Sequence, residues 1–255
     1  MLIKTCIHVD LFTVKHNMKK IIITGCPRTG STALALLISS SPFALVTNEV
    51  GTFHHSKRVF DKKVSKFFGQ EKKILNFESL NKNKLLNFSK SLDGNVVLFG
   101  DKRPDYCASF TNMLHLIEKH QDAYFVFTHR NPCATAWSFL KRTKIEPNVK
   151  VAWCTDNIET AATTIVNRTN NWLSTLYPNV KNKMIVCYDN YINNQKKLVN
   201  DLESFFGESL NITHPEEIYA HKNPNDFKLC LSDDQINQIN IKFSILKEKI
   251  DSIKK

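Results

Sequence analysis

The longest uninterrupted β-branched run in the chain is Lys-Ile-Ile-Ile-Thr at Lys20–Thr24. A run without polar alternation predicts a strand buried on both faces of a parallel sheet. Gly25–Gly30 follows as a predicted turn, and Ser31–Ser41 as a helix that Pro42 ends. Short apolar runs predict further strands at Val96–Phe99, Ala123–Thr128 and Met184–Cys187. Helical spacing predicts Thr111–His120, Pro132–Arg142, 156–177, Asn194–Phe206 with Gly207 as its stop, and a C-terminal helix from about Asp233 to Lys249. Residues 57–92 are rich in Lys and Asn, with Val64, Phe67, Phe68, Leu75, Leu85, Leu86 and Phe88 at apolar spacing, and predict surface helices. Strands alternating with helices predict an α/β fold of three layers, a central parallel sheet of about four to five strands flanked by helices.

A chain of 255 residues fits one such domain, taken as residues 18–255. Residues 1–17 read as an N-terminal extension outside the core, because Met18-Lys19-Lys20 directly precedes the first strand. The formal net charge of +11 has two readings, an anionic partner or a chain simply rich in lysine, since the lysines are dispersed. Seven cysteines at irregular spacing, without a Cys-x-x-Cys pair, exclude a disulfide framework or zinc site and read as small buried groups in a reducing compartment. No apolar run approaches the roughly 20 residues of a membrane span. Lys4, His8, Asp10 and Lys15 interrupt any signal-peptide core. The expectation is a soluble, cytoplasmic protein with no membrane association, and no nucleic-acid recognition motif is visible. The three Asn-x-Ser/Thr sites (Asn87, Asn167, Asn211) carry no weight without a secretory signal.

Two segments carry candidate chemistry. Gly25-Cys26-Pro27-Arg28-Thr29-Gly30-Ser31-Thr32 lies between the first strand and the first helix. Backbone N–H groups and the helix dipole there suit a bound anion, Ser31 and Thr32 add hydroxyls, and Arg28 adds a permanent cation. The sequence approaches the P-loop pattern G-x-x-x-x-G-K-[ST], but Ser31 stands where that pattern has lysine. Phosphoryl transfer needs that lysine, so the segment predicts a P-loop-type fold that binds phosphate without metal-dependent kinase chemistry. The second segment is His129-Arg130-Asn131-Pro132 at the end of a predicted strand, where open α/β sheets bind ligands, with Ser138 eight residues after Arg130.

Pro27-Arg28-Thr29-Gly30-Ser31-Thr32 resembles the 5'-phosphosulfate loop of sulfotransferases that use 3'-phosphoadenosine 5'-phosphosulfate (PAPS). Its form is nearest to that of tyrosylprotein sulfotransferases and related bacterial enzymes. Arg130 and Ser138 resemble the family's 3'-phosphate site, with Asn131 where aspartate is common. The resemblance runs from about Lys19 to Gly207 and implies PAPS as cosubstrate, no metal, and in-line sulfuryl transfer to a hydroxyl or amine. By its distance of 21 residues from Arg28, it implies Glu49 as the base, with His54 and His55 as rivals. Lys102, in Gly100-Asp101-Lys102-Arg103-Pro104, is similar to the lysine that stabilises charge on the sulfuryl group or leaving oxygen, with Arg103 as the adjacent alternative. Tyr188, in Cys187-Tyr188-Asp189-Asn190-Tyr191, resembles the tyrosine that packs near adenine, although Asp189 replaces the family's glutamate. The acceptor stays open among carbohydrates, small molecules and peptide tyrosines. A P-loop small-molecule kinase and a non-catalytic nucleotide-binding protein are the alternatives.

Overall fold

A computed structural model describes residues 19–49, 97–145, 155–212, 215 and 225–253. The expected extension at 1–17, the surface helices at 57–92, His54 and His55 lie outside these residues. Five strands, all parallel, form one sheet in the order β2-β3-β1-β4-β5. They are β1 (Lys19–Gly25), β2 (Ala44–Asn48), β3 (Leu98–Lys102), β4 (Tyr124–His129) and β5 (Asn182–Cys187). The helices that matter below are α1 (Ser31–Ser39), α2 (Phe110–Lys119), α3 (Pro132–Ile145), α4 (Ile158–Asn171), α5 (Gln195–Phe206) and α6 (Asp233–Ile253). No helix among the described residues is long and apolar enough to cross a membrane.

Strand alternation divides the core between the two faces of the sheet. Ile22, Phe125 and Phe127 point into a layer shared with Met113 of α2, Phe139 of α3, Ile165 of α4 and Phe243 of α6. Ile21, Ile23, Val126 and Val186 point the other way, against Leu34 and Leu37 of α1 and Leu198 and Leu202 of α5. The isoleucines of β1 are all 0 % exposed, as a central parallel strand with both faces covered requires.

Three element boundaries depart from the sequence expectation. The second predicted strand, 96–99, runs instead over Leu98–Lys102, so Lys102 is its last residue rather than a residue beyond it. Its polar end is tolerated because the Asp101 carboxylate accepts a 2.5 Å hydrogen bond from the Tyr106 hydroxyl, and Lys102 pairs with Glu49. The predicted helix 156–177 gives way at Trp172–Leu176 to a π-helical turn, which buries Trp172, Leu173 and Leu176 together. Trp172 stacks on Phe127 with ring centroids 5.0 Å apart, a purely core position. Tyr188 opens a short helix, Tyr188–Tyr191, instead of closing β5.

Candidate functional site

The carboxyl ends of the five strands lie side by side, and the described candidate residues sit on or just beyond them, except Ser138, which lies in the second turn of α3. Gly25 leaves β1 with φ 147°, and a Cβ there would lie 2.4 Å from the Thr128 carbonyl oxygen of β4. Arg28 (φ 69°) and Gly30 (φ 87°) both take left-handed backbone, which folds the loop tightly back toward α1. Thr29 spends its hydroxyl inside the loop: it donates to the Cys26 carbonyl at 2.7 Å and lies 2.7 Å from the Thr128 hydroxyl. Pro27 and Cys26 are buried, and burial pushes the Cys26 thiol far above the ordinary cysteine range. Gly30 caps α1 without any side-chain hydrogen bond. The N–H groups of the first turn, which includes buried Ser31 and exposed Thr32, are therefore available to an anion.

At the ends of β2 and β3, Lys102 and Glu49 form an ion pair of 2.5 Å. The lysine side chain is only 2 % exposed, whereas that of Glu49 is 55 % exposed. Glu49 holds left-handed backbone (φ 60°), and its N–H donates to the Lys102 carbonyl at 2.7 Å. Burial holds the Lys102 ammonium below the usual lysine range, against the hydrogen bond it donates to Glu49, which pulls it back up. The charge of Arg28 also acts on Lys102, which links this pair to the loop. Arg103, the alternative to Lys102, faces Asp105 instead, at 3.8 Å, and Arg168 meets the same carboxylate at 3.4 Å.

The β4–α3 turn makes the second predicted corner. Asn131 accepts hydrogen bonds at its side-chain oxygen from the N–H groups of Cys133 (2.9 Å) and Ala134 (3.1 Å), capping α3. Arg130 lies with its guanidinium 5.0 Å over the Tyr188 ring and donates to the Arg28 carbonyl at 3.4 Å. Arg28 in turn donates through Nε to the Ser138 hydroxyl at 2.9 Å. His129 is turned away, its ring stacked on Phe243 at 5.7 Å.

The structure thus brings Arg28, Arg130, Ser138 and Tyr188 into one cluster, where the two predicted segments meet. Tyr188 also covers the loop itself, because a Cβ on Gly30 would lie 2.2 Å from its ring. Sequence reasoning missed Asp189, whose carboxylate accepts a hydrogen bond from the Asn131 N–H and lies 4.0 Å from Arg130 Nε. Register was the available signal: His129 pairs with Cys187, so residues 131 and 189 are the next opposed positions but one.

A sequence profile of the Sulfotransferase family matches residues 20–211. No curated protein sequence matches the chain. Among solved structures, the sulfotransferase domain from the curacin biosynthetic pathway superposes with a TM-score of 0.58 at 14 % identity, over 89 % of this chain and 98 % of that one. The sulfotransferase domain of the Synechococcus PCC 7002 olefin synthase gives 0.57 at 14 % identity, over 89 % and 94 %. Sulfotransferase STF9 from Mycobacterium avium gives 0.55 at 13 % identity, over 94 % and 79 %.

Proposed function

The chain belongs to the sulfotransferase family, and on that premise we propose that it transfers a sulfuryl group from PAPS to a hydroxyl or amine acceptor. The observation that carries this reading is the contact between the two predicted corners, Arg28 Nε to Ser138 Oγ at 2.9 Å with Arg130 alongside. Two permanent cations and an open helix N-terminus in one cluster suit a nucleotide with anionic groups at both its 3' and 5' positions. The loop residues Pro27, Arg28, Thr29, Gly30, Ser31 and Thr32 would hold the 5'-phosphosulfate, Arg130 and Ser138 the 3'-phosphate. Tyr188 would flank the adenosine.

In the transfer, Glu49 takes the proton of the acceptor as its oxygen or nitrogen bonds to sulfur. The bond from sulfur to the bridging oxygen breaks, and adenosine 3',5'-bisphosphate leaves with the electron pair. Lys102 and Arg28 stabilise the charge that grows on the bridging and sulfuryl oxygens, and no metal is called on. Half-exposed Glu49 lies beside buried Lys102, so the proposed base is open to solvent while the cation stays buried at the carboxyl end of β3.

Calorimetric titration tests the reading, with adenosine 3',5'-bisphosphate, adenosine 5'-phosphate, and ATP with magnesium compared on the wild-type chain. Tighter binding of the bisphosphate without metal is expected. A preference for ATP with magnesium would transfer the reading to a P-loop kinase. No binding of any of the three would leave a protein that does not use this cosubstrate.

A further inference from the structure

Strands β4 and β5 stay in register past the end of the sheet. His129 is opposite Cys187 in the last rung. One step on, Arg130 lies over the Tyr188 ring at 5.0 Å. Two steps on, the Asn131 N–H donates to Asp189 Oδ2. At that position the backbone of residue 189 has already turned into the helix Tyr188–Tyr191, and its carboxylate serves where a strand carbonyl would. The second oxygen of the same carboxylate, Oδ1, sits 4.0 Å from Arg130 Nε, and Arg130 is 16 % exposed. Arg130 Nε is buried and makes no hydrogen bond among the described residues. With Nε turned toward Asp189, the guanidinium's terminal N–H groups are the ones left to face the loop, and one of them already reaches the Arg28 carbonyl.

We propose that Asp189 is a positioning residue for Arg130, fixing which edge of the guanidinium meets the 3'-phosphate and tying that arginine to the start of α3 through the Asn131 N–H. This rests on the reading of Arg130 and Ser138 as a 3'-phosphate site. Asp189 touches no nucleotide; it acts through Arg130. Its carboxylate restrains a long side chain that would otherwise spend conformational entropy on each binding event. It also keeps the rings and charges of the cluster in order, with Tyr188 below the guanidinium and Asp189 at its inner edge.

The test compares affinity for adenosine 3',5'-bisphosphate with that for adenosine 5'-phosphate, in wild type, Arg130→Ala, Asp189→Asn and Asp189→Glu. Melting temperatures are measured in parallel. Wild type should prefer the bisphosphate, and Arg130→Ala should lose that preference. Asp189→Asn should lower the preference about tenfold, as removal of a supporting partner does elsewhere, with monophosphate affinity held. Asp189→Glu keeps the charge but overreaches by one methylene; it should lose part of the preference at near wild-type melting temperature, and it decides the matter if Asp189→Asn does not fold. Absence of any preference in wild type would overturn the 3'-phosphate reading and this proposal with it. Preference present in wild type and lost in Arg130→Ala, yet unchanged or raised in the Asp189 variants, would overturn the positioning role alone. An equal loss for both nucleotides would do the same, since that is what a general structural lesion produces.

Discussion

The β1–α1 and β4–α3 corners are built from the same unit, a buried parallel strand, a turn and a helix, yet they present themselves to an anion in opposite ways. At β1–α1 the cap is Gly30, no side chain occupies the helix end, and the backbone itself is on offer. At β4–α3 the cap is Asn131, whose side-chain oxygen takes the N–H groups of Cys133 and Ala134, so that helix end is closed. What remains there is side-chain chemistry, Arg130 from the turn and Ser138 from the second turn of α3. A helix N-terminus becomes an anion seat only when its own sequence leaves it uncapped. The same supersecondary unit therefore offers a backbone cradle at one corner and a side-chain guanidinium at the other.

Breaking the backbone corner should have the largest effect. Gly30→Ala places a methyl group 2.2 Å from the Tyr188 ring at a φ of 87°. Both nucleotides should bind more weakly by over ~10²-fold, with a lower melting temperature, because neither the loop nor the ring can yield without moving the other. Calorimetry on both nucleotides checks this; a loss restricted to the bisphosphate would show that Gly30 serves the wrong corner. Arg28→Ala removes the side chain that reaches from the loop to Ser138. Turnover of PAPS should fall by roughly 10²-fold, the scale of one lost oxyanion donor, measured as release of adenosine 3',5'-bisphosphate with a panel of hydroxyl and amine acceptors. Near-normal rates would take the loop cation out of the chemistry. The smallest effect is expected from Asn131→Ala, which opens the capped helix but leaves the N–H that Asp189 accepts. Stability should drop by about 1 kcal/mol, with the preference between nucleotides intact; a changed preference would mean that the cap itself shapes the second corner.

Much of this arrangement is legible in the sequence, and the parts that are not have a common cause. The isoleucines of β1 announce a doubly buried strand because nothing polar interrupts them. Arg28 and Arg130 stand out by residue type and by their place after strands, whereas Ser138 is singled out by the family resemblance, eight residues after Arg130. The predicted β3 ends too early because Asp101 and Lys102 look like surface residues, and only the partners Tyr106 and Glu49 make their burial tolerable. β2 carries only the short apolar stretch Ala44–Val46, too little on its own to mark a strand. The directions of side chains were likewise out of reach. Composition does not say that Arg28 turns to Ser138, that Thr29 bonds inward, or that the Tyr188 ring lies on Gly30. Asn131 and Asp189, each a departure from the family pattern, meet through the backbone N–H of Asn131, while the Asn131 side chain caps α3.

The position of β1 in the sheet has a kinetic consequence. It is the first described strand in the chain but the central one in space, between β3 and β4. Lys19 must find Leu98, and Ile21 must find Tyr124, before either edge of β1 is paired. Such long loop closures are slow compared with forming the helices. On a ribosome, the phosphate loop would emerge early and wait for Thr128, Arg130 and Tyr188 to be made before it acquires its shape. The loop then takes its shape late, and during that interval the bare isoleucines of β1 are open to mispairing.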